Sequence, residues 1–427
     1  MSAEDWHPRP HIVRSRSILL ALVSIAAGAF AQSDDAAFLA QFEKTFEQGG
    51  AVPAASFVPA ALMKGRLHTV RPLADNDGLL NTYFIDTPGG VLEVTGTPAL
   101  AVRLRELYAL DHLRGLSRTE EFGKGLAQAG KAKIESAAGV VRDPFGTIKN
   151  VPKGASRFFG RIGEGLKGHQ SEGEGGALAA VTGVSRAKAQ VAAKLGVSPY
   201  TTNEELQREL TEVARAMAGG GLVVSAAAAA VGGTAGEVVS VLGVNQTLQD
   251  TLINSTPEDL RISNRKQLLA LGVDRALADE FLMHPWFSPW HETIITVALG
   301  SIAVNPSALL TDAVRALTPE DALFFQRVAQ ILARYHANSA PLRAIRFEGG
   351  IITALDRDGT LVVPVSLDYG IWAERAARRV EEFAALDKSR DGIKGLALWT
   401  DGRLSDRLCA ELKTRGIAYR ADALTNP

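Results

Sequence analysis

The sequence predicts a multi-domain α+β protein: a small N-terminal module of an antiparallel meander plus helices, an all-α middle and an α/β C-terminal module. Three observations carry this reading. Tight-turn dipeptides separate β-branched runs in residues 66–95, helix-start signals recur through 177–338 without a strand pattern, and strands alternate with helices in 339–427. A chain of 427 residues is long enough for two or three domains. Hydrophobic residues at 46% and charged residues at 22% disfavour low-complexity disorder and a multi-span membrane protein. A formal net charge of −1 argues against a surface built to trap polyanions, so nucleic acid is not an expected partner.

The first 31 residues have the parts of a secretory signal peptide. Arg9, Arg14 and Arg16 precede an uncharged apolar run from Ile18 to Gly28, and Ala29-Phe30-Ala31 offers a small-x-small cleavage pattern. Cleavage is expected after Ala31. The apolar run is shorter than the ~20 residues a spanning helix needs. Export to a periplasmic or envelope location follows as an expectation. Cys409 is the single cysteine, which excludes an internal disulfide framework and a Cys-rich zinc site. Leu408 and Leu412 mark its helix, in which the thiol reads as a small buried hydrophobe.

The first module spans 50–137. After an amphipathic lead-in (36–46), three strands, RLHTVRPL, LLNTYFID and VLEVT, are divided by Asp75-Asn76-Asp77-Gly78 and Thr87-Pro88-Gly89-Gly90, whose glycines supply the positive φ of tight hairpins. Thr97 should cap a helix with Pro98 at its first position and Leu100, Leu104 and Leu107 on one face. Ser117 to Glu120 forms a capping-box pattern for another helix.

Residues 138–176 form a basic-aromatic segment and a linker. Arg142, Lys149, Lys153, Arg157, Arg161 and Lys167 face only Asp143 and Glu164 within 142–168, and Phe158 and Phe159 are interleaved with them. Cations attract anionic headgroups and aromatic rings enter the acyl boundary, so an anionic membrane surface or an envelope protein is the candidate partner. A strap packed across a module boundary is the plainer alternative. Gly163 to Gly168 matches G-x-G-x-x-G, but no strand precedes it and a charged linker follows, so nucleotide binding is not expected.

The helical middle is 177–338. Thr202 to Glu205, Thr256 to Asp259 and Thr318 to Asp321 read as helix starts, the last two with Pro at the first position and acids behind it. The uncharged stretch 218–236 is rich in Gly and Ala, which suits a close helix pair better than a membrane span. Leu323, Val328, Ile331, Leu332 and Tyr335 should face inward on the last helix. In 339–427, RAIRF, IITAL and TLVVPV read as strands with a hairpin at Asp358-Gly359, followed by a helix over 371–386. GLALW, the Cys409 helix and IAYRA then make a candidate parallel βαβ unit.

Chemistry is sparsely signalled. There is no G-x-S-x-G elbow, and His291-Glu292 begins an H-E-x-x-H pattern without completing it. The densest cluster is His284, Trp286, Trp290 and His291, which could hold a ligand or fill a helix–helix corner with its Trp rings. Asp401 stands at a strand-to-helix turn, where α/β folds tend to bind ligands, although Asp401-Gly402 also reads as a plain turn with Ser405 as the helix cap. No cofactor or metal is called for. The leading expectation is a non-enzymatic envelope protein that binds a membrane surface or a partner. The alternative is an exported enzyme or small-ligand receptor with its site between the helical and C-terminal domains.

Overall fold

The computed structural model describes residues 46–117, 122, 175–218, 248, 251–252, 255–386 and 392–424. It is an α+β structure, as the sequence pattern predicts; among the described residues it has two larger sheets, one antiparallel and one mixed, and a two-stranded parallel pair. The segment expected to be a signal peptide, the cationic stretch 142–167 and most of 218–236 lie outside the described residues. Among the described residues no helix is long and apolar enough to cross a membrane.

The N-terminal sheet contains β1 (Gly50–Pro53), β2 (Lys64–Gly65), β3 (His68–Val70), β4 (Leu73–Asn76), β5 (Asn81–Thr87) and β6 (Gly90–Thr95), with the short helix α1 (Ala60–Met63) before β2. The predicted meander is present, but its first strand is cut in two. Pro72 has no N–H to donate, and its carbonyl accepts instead from Ala54 N at 2.9 Å. Thus β3 and β4 pair with the same neighbour, β5, while β6 pairs with β5 from the other side. Val70, Ala74, Tyr83, Ile85 and Val94 pack this sheet against α2 (Thr97–Leu116) through Leu100, Leu104 and Tyr108. The inward face ends on Tyr108; Leu107 is only half-buried. The cap of α2 is Gly96, at φ 97°, not Thr97.

The far half of α2 joins a second core. Ala109, Leu110 and Leu113 pack with Val191 and Leu195 of α3 (Gly175–Leu195) and with Leu206, Leu210 and Val213 of α4 (Glu204–Ala218). Helix α3 begins inside the last two residues of the expected linker. Helix α4 starts one residue later than the Thr202 pattern suggests, because the Asn203 carboxamide accepts from Leu206 N at 3.1 Å and so caps it.

Helices α5 (Pro257–Ala270), α6 (Arg275–Leu282), α7 (Pro289–Ile302), α8 (Ser307–Ala313) and α9 (Pro319–Asn338) follow. Complete capping boxes at Thr256/Asp259 and Thr318/Asp321 open α5 and α9 as predicted. Val328, Ile331, Leu332 and Tyr335 of α9 are buried, with Leu323 half-buried and Ala322, Phe325 and Ala329 taking the rest of that face.

The C-terminal sheet comprises β7 (Leu342–Glu348), β8 (Ile351–Asp356), β9 (Thr360–Val365), β11 (Gly395–Thr400) and β13 (Ile417–Arg420), in the order β13-β11-β9-β8-β7. The β7–β8–β9 part is antiparallel; β9, β11 and β13 are mutually parallel. Two crossovers therefore run through helices: α10 (Glu374–Ala384) between β9 and β11, and α11 (Asp406–Thr414) between β11 and β13, the latter being the predicted βαβ unit. A separate two-stranded pair, β10 (Tyr369–Gly370) with β12 (Arg403–Leu404), lies at the strand ends. Period-two alternation sorts the sheet's side chains between two layers. Ile352, Ala354, Val362 and Ala397 pack with α7, α8 and α9, whereas Leu355, Leu361, Val363 and Leu396 pack with α10 and α11. One hydrophobic core thus runs from the helical middle across into the C-terminal sheet.

Candidate functional site

In open α/β sheets the crevice beyond the carboxyl ends of parallel strands is where ligands bind. Here that place lies past Val365 of β9 and Thr400 of β11, and it holds two buried acids, Asp368 and Asp401. The Asp401 carboxylate accepts from Arg327 Nε of α9 at 2.7 Å, from Ser366 Oγ at 2.9 Å and from Leu367 N at 3.0 Å. Arg327 and Asp401 keep only 6% and 2% of their side chains exposed, so the pair is shut off from water. Gly402 follows because no larger residue fits: a Cβ there would stand 2.0 Å from the Leu367 carbonyl oxygen. Ser405 caps α11 by accepting from Leu408 N at 3.1 Å, as the sequence suggests.

Asp368 reaches into the N-terminal module. One of its oxygens accepts from Asn81 N and the other from Thr97 N, each at 2.8 Å. Thr97 is the first residue of α2, whose cap Gly96 has no side chain to offer, so Asp368 serves as the missing N-terminal acceptor. Burial pushes Asp368 up to about 6, against the pull of the two backbone donors and with neighbouring Asp401 adding to the rise. The backbone continues the joint. Asp368 N and Tyr369 N donate to Leu79 O, Ile371 N donates to Gly78 O, and Asn76 Nδ2 donates to Tyr369 O. Gly78, at φ 104°, provides the tight turn that brings those carbonyls forward. Glu47 closes the edge, its carboxylate accepting from Trp372 N and from Ser405 Oγ, both at 2.6 Å. Arg403 Nη1 adds a bond to Ser56 O at 2.9 Å. This pinning delays α10 to Glu374, three residues past the expected start at 371.

A cavity of about 290 Å³ sits against this joint, lined by Glu47, Asn76, Val52, Tyr369 and Ile371 among others.

Of the sequence-predicted ligand candidates, His284, Trp286 and His291 meet only through local backbone bonds, Trp286 N donating to His284 Nδ1 at 3.4 Å and the His291 ring bonding the Trp286 backbone, and among the described residues none of them touches Asp401. Asp401 is committed to Arg327, Ser366 and Leu367 as above. His284 and Trp286 lie in the turn between α6 and α7, and Trp290 and His291 in the first turn of α7. The corner itself exists, but its plug is Phe287, fully buried against Phe281 and Phe325, with His284 edge-on to it at 5.4 Å. Trp286 is 39% exposed, and Trp290 packs beside Leu252, Leu260 and Ile294. The corner is therefore not filled by two Trp rings, because Phe287, between the two prolines, is the ring that meets Phe281 and Phe325. His291 is the third residue of a capping box with Ser288, and loss of water around its ring lowers it to about 4. Among the described residues no group of three His, Cys, Asp or Glu side chains is placed to hold a metal ion. Cys409 is only partly buried, not a core residue.

Two features escaped the sequence reading. Glu292 is fully buried, held by Arg261 through Nε and Nη2 at 3.1–3.3 Å, and desolvation lifts it to about 7. The Asp368 joint was also invisible, since its partners stand 287 and 271 residues away along the chain. The one local signal was the glycine before Thr97-Pro98, a helix start with no side chain to cap it. The chain matches no protein-family model, no curated protein and no solved structure.

Proposed function

We propose that this is an exported cell-envelope protein that works by binding a membrane surface or an envelope partner, with residues 142–167 as its contact segment. The observation that carries the reading is how the buried and joint carboxylates around the C-terminal strand ends are used. Asp368, Asp401 and Glu47, at the strand ends where an α/β module would take a ligand, are spent on donors from the chain itself. The folded modules then act as a carrier, and the contact chemistry lies in the cationic, aromatic stretch containing Arg142, Lys149, Lys153, Arg157, Phe158, Phe159, Arg161 and Lys167. The leader pattern ending at Ala31 supports export.

Cell fractionation with a salt wash, followed by sedimentation with anionic vesicles, tests the proposal. The protein should leave the cytosol without its first 31 residues, and should bind vesicles at low salt. Neutralising Arg157, Arg161 and Lys167 together should weaken binding at least tenfold, on the basis of about 1 kcal/mol per cation near a charged surface. Absence of vesicle and envelope binding at every salt concentration would end this reading. A small-ligand receptor is the second reading, and the cavity beside Tyr369 favours it. It predicts a thermal shift with some small polar solute that Tyr369→Ala abolishes.

A further inference from the structure

Among the described residues, strand β6 ends the N-terminal sheet on an open edge. It pairs with β5 without a bulge, from Thr87↔Gly90 to Thr82↔Thr95, and Gly96 N donates to Asn81 O at 2.9 Å. Antiparallel bonding alternates residue by residue, so Gly90, Leu92 and Val94 bond toward β5. The N–H and C=O groups of Val91, Glu93 and Thr95 therefore point outward, and no partner for them occurs among the described residues. Four successive residues, Gly90 to Glu93, are exposed, with Val91 at 52% and Leu92 at 40%. Natural edges are blunted by charged side chains, Pro or a bulge; β6 has no Pro and no bulge, and Glu93 is its single charge. Leu92 also stands opposite Ile85, on the sheet face that holds Val94 and the core. The apolar face of the sheet runs out to this edge and is unfinished there.

We propose that β6 pairs antiparallel with β6 of a second copy of this chain, forming a two-fold dimer with one continuous sheet. The register follows from the side chains. Centring the axis on Glu93 would set like charges directly opposite each other, and centring it on Val91 would set Leu92 against a glycine. Centring it on Leu92 places the two leucines face to face and lets Val91 of each copy exchange both backbone bonds with Glu93 of the other. The unfinished core face of each copy is then completed by the other's Leu92.

The register gives a specific test on the full chain. Val91→Pro removes a donor that points away from β5, so the fold should stand while dimerisation weakens at least about tenfold, two bonds being lost per dimer. Leu92→Lys should act in the same direction. Opposed residues of a non-hydrogen-bonded pair lie about 4.5 Å apart at Cα, within disulfide range. In a Cys409→Ser background, Leu92→Cys should therefore cross-link into a dimer on mild oxidation, and Val91→Cys should not. A monomer by sedimentation velocity at tens of micromolar would overturn the proposal. So would a dimer that survives Val91→Pro, or one that cross-links through position 91 in preference to 92.

Discussion

Asp401 shows how much one side chain is asked to do when a charge is buried. Its two oxygens take three donors, one of them the Arg327 guanidinium, and neither partner sees appreciable solvent. Two ions removed from water lose several kcal/mol of hydration each, and their attraction in the interior roughly returns it. The pair is therefore costly to break and cheap to replace as a unit. Asp401→Asn should destabilise the protein by about 3–5 kcal/mol, because it removes the negative charge that faces a buried guanidinium. The double variant Arg327→Met, Asp401→Leu should recover most of that loss. Urea denaturation of the two variants decides the matter; a double variant as unstable as the single one would mean that Ser366 and Leu367 N, rather than the ion pair, set the cost.

At the scale of elements, α2 depends on a residue from another part of the chain. Its start has Gly96 at the cap and Pro98 behind it, and Asp368 accepts from Thr97 N across the module joint. The turn that presents Asp368 is itself kept in place by Gly402, whose missing side chain lets the Leu367 and Asp368 carbonyls approach. Gly402→Ala should lower stability by about 3 kcal/mol or more, since the blocking atoms are backbone and cannot rotate away. Ser405→Ala, three residues on, removes a cap and should cost about 1 kcal/mol. Thermal melts that rank the two in the opposite order would contradict this account of the joint. The contrast also explains which parts of the fold were legible. Capping boxes at Thr256 and Thr318, the Asp358-Gly359 hairpin and the β11–α11–β13 unit are written in a few adjacent residues and can be read there. A cap supplied from 271 residues away leaves no local trace. Nor does the choice of Phe287 over Trp286 as the corner plug, because it depends on the Phe281 and Phe325 rings it meets. The candidate site was half legible for the same reason: Asp401 and Ser405 stood out, but the Arg327 and Glu47 that engage them did not.

Across the whole molecule, three buried titratable groups in two places give folding a pH dependence whose sign can be worked out. Glu292, raised to about 7, and Asp368, raised to about 6, hold protons in the folded state that the unfolded chain releases down to its ordinary carboxyl range. Each adds stability as the pH falls through that window and withdraws it as the pH rises through the folded value. His291 works the other way. Its ring is lowered to about 4, so between the ordinary histidine value of 6.5 and that point the unfolded chain takes up a proton that the folded one refuses. Burial of the ring away from water causes the refusal, and protonation would also remove the Nδ1 lone pair that faces Ser288 N in the α7 capping box. His291 therefore supports folding at neutral pH and loses that support on acidification. Neighbours in sequence, His291 and Glu292 oppose each other, each bound proton changing stability by about 1.4 kcal/mol per pH unit. Stability measured against wild type between pH 7 and pH 4.5 should separate them. His291→Gln should gain on wild type as the pH falls, because it lacks the group that wild type is forced to leave unprotonated. Glu292→Gln should fall further behind over the same interval, having no proton to accept. Difference curves of the same sign would mean that the two groups titrate as one unit, and that burial of each separately does not govern the acid response of the helical core.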